Sequence, residues 1–203
     1  GGGADEDGEI DLSSKVITAF GVLAVGLVAV IYFILTQDVA ITAVTTVIMV
    51  VMAFFFTAVS CYIVGLVGNS NNPVSGMTIT AVLFTGGMLL LFGFTGTTGI
   101  LATLGVAAIV CCAACTAGDV CNDLKTGAIV GAQPRRQQIM QILGVAIASL
   151  VMAPVLQVLH DNVPGGIGGE KLSAPQAGLF KSLAEAFFGD GQLPWDMLGI
   201  GAG

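Results

Sequence analysis

Between Asp38 and Asp119 there is no Asp, Glu, Lys, Arg or His. A run of this length without a charged side chain cannot be folded against water, because a soluble domain needs charged groups spread over its surface. Apolar residues make up 55% and charged residues 9% of the 203, against roughly 25% charged in ordinary soluble domains. Hydrocarbon is the solvent that tolerates such a stretch. The fold class that follows is all-α: a polytopic transmembrane helical bundle in a lipid bilayer, because only helices and closed barrels satisfy their backbone there.

A membrane helix needs about 20 apolar residues. Five segments qualify: 16–36, 39–67, 74–94, 99–117 and 139–159, the last with Pro154 as an expected kink. A sixth opens at Leu193 and runs to Gly203. Residues 1–15 hold Asp5, Glu6, Asp7, Glu9 and Asp11 among glycines and read as an acidic linker. The chain has no initiator Met and no basic stretch before its first apolar run, as a signal peptide would require. With its last apolar segment cut short, it reads as part of a longer protein. Residues 177–188 place Leu179, Phe180, Leu183, Phe187 and Phe188 on one stripe, which predicts a short amphipathic helix at the membrane interface or packed on the bundle.

Five spans alternate sides. Lys15, Lys125, Arg135 and Arg136 then share one side and Lys171 and Lys181 the other, which predicts a cytoplasmic 119–138 loop. No basic patch points to nucleic acid.

Three places carry chemistry. At 68–76, Asn69, Ser70, Asn71, Asn72, Pro73, Ser75 and Gly76 interrupt the apolar sequence without adding charge. Pro73 removes a donor and disfavours helix at Asn72. The segment is either an interfacial turn or a broken helix of the kind that builds solute sites in transporters. At 119–125, Asp119 and Asp123 share a helical face, Lys125 can neutralise one of them, and a desolvated Asp119 could carry a proton. Four of the five cysteines, Cys111, Cys112, Cys115 and Cys121, lie within eleven residues. With no nearby His or carboxylate to complete a zinc site, Cys111 to Cys115 read as packing, no metal or cofactor is expected, and a disulfide framework is not. His160, the only histidine, reads as a helix-end residue.

Two of these segments resemble the oligopeptide transporter family, which includes the yellow stripe-like metal-chelate transporters. Gly68 to Ile79, GNSNNPVSGMTI, is similar to the family's Asn-Asn-Pro-x-Ser-Gly-Met-Thr segment. Ala117 to Gln138, AGDVCNDLKTGAIVGAQPRRQQ, is similar to its Ala-Gly-Asp…Asp-Leu-Lys-Thr-Gly loop. Ala174-Pro175-Gln176-Ala177 and Leu193-Pro194-Trp195 follow in the family's order. The acidic run and the Cys111–Cys115 cluster lie outside the resemblance.

The resemblance implies a secondary active transporter of the plasma membrane. Its members take up small peptides or peptide-like metal chelates by proton symport, through more spans than this chain holds. The chain would work only with the remaining transmembrane helices of the full-length transporter. Asn69, Asn71, Asn72, Pro73, Ser75 and Gly76 become expected members of the substrate pathway, and Asp119, Asp123 and Lys125 of proton coupling or gating. The alternatives are a membrane-embedded enzyme, for which Cys112 and Asp119 lack a base or metal partner, and a channel-like helical bundle.

Overall fold

The computed structural model of the chain describes residues 12–188. The acidic residues of the expected linker, the apolar segment from Leu193 and the Leu193-Pro194-Trp195 landmark lie outside them. Every regular element described is helical: α1 (Ser14–Thr36), α2 (Val39–Val67), a 3-10 turn (Asn69–Asn71), α3 (Val74–Leu91), α4 (Gly96–Val130), α5 (Pro134–Asn162) and α6 (Pro175–Phe188). The first five α-helices are long and apolar enough to cross a membrane. At 1.5 Å per residue, the 18 residues of α3 extend about 27 Å, close to the thickness of a hydrocarbon core.

The short connections set the topology. Gln37 takes a left-handed conformation at φ 52° and ends α1. Asp38 then caps α2, its carboxylate accepting from the backbone N–H groups of Ala40 at 2.7 Å and Ile41 at 3.1 Å. A carboxylate here meets both the free N–H groups and the positive end of the helix dipole. Helices α1 and α2 are therefore an antiparallel pair, as two linking residues require.

The centre of the bundle is α2, α3 and α4. Met49, Met52 and Phe56 of α2, Met77 and Ala81 of α3, and Val106, Val110 and Ala114 of α4 share one buried cluster with Tyr32 of α1. Small residues let the helices come close, which is how helices associate where lipid offers no hydrophobic drive. Tyr32 is the sole buried residue of α1, and its ring occupies the space that a side chain at Gly105 would need. None of the 29 residues of α5 is buried.

Three expectations about boundaries are corrected. The 119–138 segment is not a loop. Helix α4 continues unbroken for 35 residues to Val130, and only residues 131–133 join it to α5. Reading the span from its apolar run mistook the end of the apolar stretch for the end of the helix. Nothing between Ala117 and Val130 breaks a helix, and the stop comes at Gly131, where φ is 77°. Pro134 opens the next helix, at a position where its missing N–H costs nothing. At the other boundary α3 ends at Leu91 rather than 94. The linker boundary also shifts, because Ser14 and Lys15 already belong to α1.

Helix α6 lies against α3 and α4. The Phe187 ring covers Gly86 and the Phe188 ring covers Gly99, each with atoms 2.7 Å from where a Cβ would stand. Ala184 and Phe188 are buried, while Leu179, expected on the same stripe, is exposed. Of the two readings of this segment, the described contacts are those of a helix packed on the bundle. The turn before it is tied to α5: the N–H of Ile167 donates to His160 Nδ1 at 3.2 Å, which gives the lone histidine its helix-end place.

Candidate functional site at the helix break

Residues 68–73 separate α2 from α3. Gly68, at φ 84°, ends α2 in a conformation that suits glycine. Asn69–Asn71 form one 3-10 turn, and Asn72 and Pro73 are non-helical before α3 starts at Val74. The break is thus six residues long, and Ser75 and Gly76, expected within it, belong to the first turn of α3.

The break folds back against α2 and α4 instead of projecting freely. Asn72 Nδ2 donates to Ser60 Oγ at 2.7 Å and reaches the Ala114 carbonyl at 3.4 Å. Ser60 is fully buried and donates its own proton to the Ala114 carbonyl at 2.6 Å. This chain of donors fixes the amide. A carbonyl can only accept, and Ser60 has spent its single proton on it, so the end of Asn72 that faces both must be the NH2 group. Asn72 Oδ1 is consequently turned the other way, buried and without a hydrogen-bond partner. A buried acceptor left unpaired costs about 1–3 kcal/mol.

Asn69 provides the second tie, its Nδ2 donating to Asp119 Oδ1. Between the two ties lies Gly118. A Cβ there would stand 2.7 Å from Asn72 Nδ2, 3.0 Å from Asn69 Oδ1 and 3.1 Å from Val64 Cγ2. The loop therefore packs directly on the bare backbone of α4, along the small pair Ala114 and Gly118 one turn apart.

The expected site residues divide accordingly. Asn69, Asn72 and Asp119 are brought together. Asn71 is not: it is exposed, and its amide donates to Val67 O within its own turn at 3.0 Å. Pro73, Ser75 and Gly76 are exposed. Asp123 is held by α5, where Gln141 Nε2 donates to its carboxylate at 3.1 Å and Gln137 Nε2 to its backbone carbonyl at 3.3 Å. Lys125 forms no ion pair with Asp119 or Asp123 among the described residues, and both carboxylates are exposed, so neither the expected neutralisation nor the expected burial of Asp119 is found.

Ser60, Ala114 and Gly118 escaped sequence reasoning. Ser60 is one hydroxyl within an apolar helix, and only the register of α2 against α4 makes it a partner. The one available hint was the small-x-x-x-small spacing of Ala114 and Gly118, which marks a close helix contact.

A disulfide, unexpected from sequence, joins Cys61 of α2 to Cys121 of α4, with Cα atoms 5.8 Å apart. The pairing is between helices distant in sequence, which the spacing of the 111–115 cluster does not indicate. Cys111, Cys112 and Cys115 carry free thiols, the last two exposed. Among the described residues no three His, Cys, Asp or Glu side chains are placed to hold a metal.

The profile of a family described as "OPT oligopeptide transporter protein" matches residues 7–203. A Haemophilus influenzae protein named as an oligopeptide transporter is 33% identical over 222 aligned residues, covering 96% of this chain and 35% of that protein. A protein of Oryza sativa subsp. japonica named as a metal-nicotianamine transporter, YSL13, is 31% identical over 118 residues, covering 54% of this chain and 16% of that protein. No solved structure matches the chain. The chain spans about a third of the length of its Haemophilus relative. The family and both of these relatives are named as transporters. The chain is a multi-pass integral membrane protein and belongs to the OPT oligopeptide transporter family.

Proposed function

We propose that this chain forms part of a secondary active transporter that takes up small peptides or peptide-like metal chelates, and that the helix break at 68–73 lies on the solute path. The observation that carries the reading is the fixed amide of Asn72, with Oδ1 buried and unpartnered in the six residues between α2 and α3. Non-helical backbone at membrane depth is tolerated where it lines a protein or water-filled cavity. An unpaired amide oxygen suits a solute that brings N–H donors, as peptide groups and the amines of a chelator do. The names of the two relatives support the same two substrate classes.

Asn69 and Asp119 are proposed as the tie that holds the break closed. A hydrogen bond to an ionised carboxylate is roughly twice as strong as a neutral one. Protonating Asp119 weakens it and frees the loop, which gives proton coupling or gating a physical route. Asp123, held by Gln137 and Gln141, anchors α5 to the same end of the bundle, where Lys125 is exposed.

The surrounding of α5 follows from its burial. A helix with no buried residue in a bundle of this kind leaves an apolar face for lipid or for the remaining helices of the full-length transporter. The basic residues Lys15, Lys125, Arg135 and Arg136 support a cytoplasmic position for the end of the bundle that holds the break.

The test is reconstitution of the full-length transporter in liposomes, with labelled trialanine and a labelled iron–nicotianamine complex as probes. Saturable uptake of either, accelerated by an imposed inward proton gradient, is expected. Uptake that rises linearly with concentration and ignores the gradient indicates a channel-like bundle and contradicts the reading.

A further inference from the structure

Cys61 and Cys121 are 60 positions apart in sequence, yet their sulfurs face each other, and their Cα separation of 5.8 Å is one a disulfide can bridge. Both stand at the helix break. Cys61 directly follows Ser60, the acceptor for Asn72, and Cys121 lies two residues beyond Asp119, the acceptor for Asn69. The bond therefore crosses between the same two helices that hold the loop. Both cysteines are half-buried.

We infer that Cys61 and Cys121 form a redox latch. Closed, the bond fixes α2 to α4 beside Ser60 and Asp119 and arrests residues 68–73. Open, it lets the two helices separate at that level so that Asn72 and Asn69 can leave their acceptors. The consequence for transport rests on the loop lying on the solute path, but the latching of the loop does not. On the proposed orientation this end of the bundle faces the cytoplasm, where thiols are kept reduced. The latch is then open in ordinary conditions and closes under oxidation.

The reagent class is a small disulfide such as oxidised glutathione. One cysteine thiolate attacks it, expels one thiol and forms a mixed disulfide. The second cysteine attacks that bond at the protein sulfur and expels the other thiol. The two protein thiols lose two electrons and two protons, and the small disulfide gains both as two thiols. Excess thiol reverses each step.

The experiment uses the full-length protein in nanodiscs, treated with oxidised glutathione or with dithiothreitol. Alkylatable thiols are counted by mass spectrometry, and amide exchange is followed over residues 68–73. Oxidation is expected to remove two thiols, yield a linked Cys61–Cys121 peptide and slow exchange across the loop. Dithiothreitol should restore all three readouts, and Cys61→Ser should abolish the response. Absence of the linked peptide overturns the proposal, as does a linked peptide with unchanged exchange. A bond that resists dithiothreitol in the folded protein makes the pair a permanent staple and also overturns the latch. None of these readouts involves transport, so failure of the latch and failure of the loop as a solute path are told apart.

Discussion

Asn72 on the helix break donates to Ser60 on α2 at 2.7 Å, and the Ser60 hydroxyl in turn donates a hydrogen bond to the Ala114 carbonyl of α4. This one relay joins the break to two helices and sets which end of the Asn72 amide is free.

Gly118→Ala should displace the loop. The new methyl would stand 2.7 Å from Asn72 Nδ2, and the Asn69 and Val64 side chains close the other directions. Overpacking of this kind costs about 1–3 kcal/mol. The expected outcome is a lower melting temperature of the purified protein together with faster amide exchange at residues 68–73. Normal exchange over the loop in this variant would mean that the break does not pack on Gly118.

Asp119→Asn tests the proposed proton link. The amide keeps the shape of the carboxylate but holds no charge, so the tie to Asn69 no longer strengthens when the group ionises. Uptake by the full-length variant should vary less with pH than wild type. A pH profile superimposable on that of the wild type would remove Asp119 from coupling.

Gly99→Ala should loosen α6. The added carbon would lie 2.7 Å from the Phe188 ring, and again about 1–3 kcal/mol of overpacking is expected. Limited proteolysis between residues 163 and 188 should accelerate. An unchanged cleavage rate would show that the ring moves aside at no cost.

Orientation is tested by labelling. Arg135→Cys, in a cysteine-free background, should be protected from an impermeant thiol reagent added outside intact cells, and Lys171→Cys should react. Labelling of position 135 from outside would invert the assignment.

What was legible in the sequence follows from how local each signal is. The charge-free stretch between Asp38 and Asp119 identifies a membrane bundle without any tertiary information. Gly68 and Pro73 bracket the break because each acts on its own backbone. The end of α4 was misplaced because hydropathy marks where lipid could end, while the helix runs on until Gly131 stops it. Ser60, the Ala114–Gly118 notch and the Cys61–Cys121 pair were out of reach because they exist only once α2 and α4 are in register. The three asparagines looked equivalent in sequence. Their separation into Asn69 and Asn72, which face Asp119 and Ser60, and Asn71, which serves its own turn, is a matter of which way a six-residue break turns.

That separation supplies the most direct test of the loop as a solute path. Asn72→Leu and Asn71→Leu are compared in concentration-dependent uptake by the full-length transporter, normalised to the amount in the membrane. Leu keeps a similar volume and is well tolerated in lipid, so insertion should survive in both. Losing the Asn72 amide leaves a solute donor unpaired, at about 1–3 kcal/mol. The half-saturating concentration should then rise roughly 5- to 100-fold for Asn72→Leu, since 1.4 kcal/mol is tenfold, and stay near wild type for Asn71→Leu. Wild-type kinetics in Asn72→Leu would contradict the account and leave the break as an ordinary turn between two membrane helices.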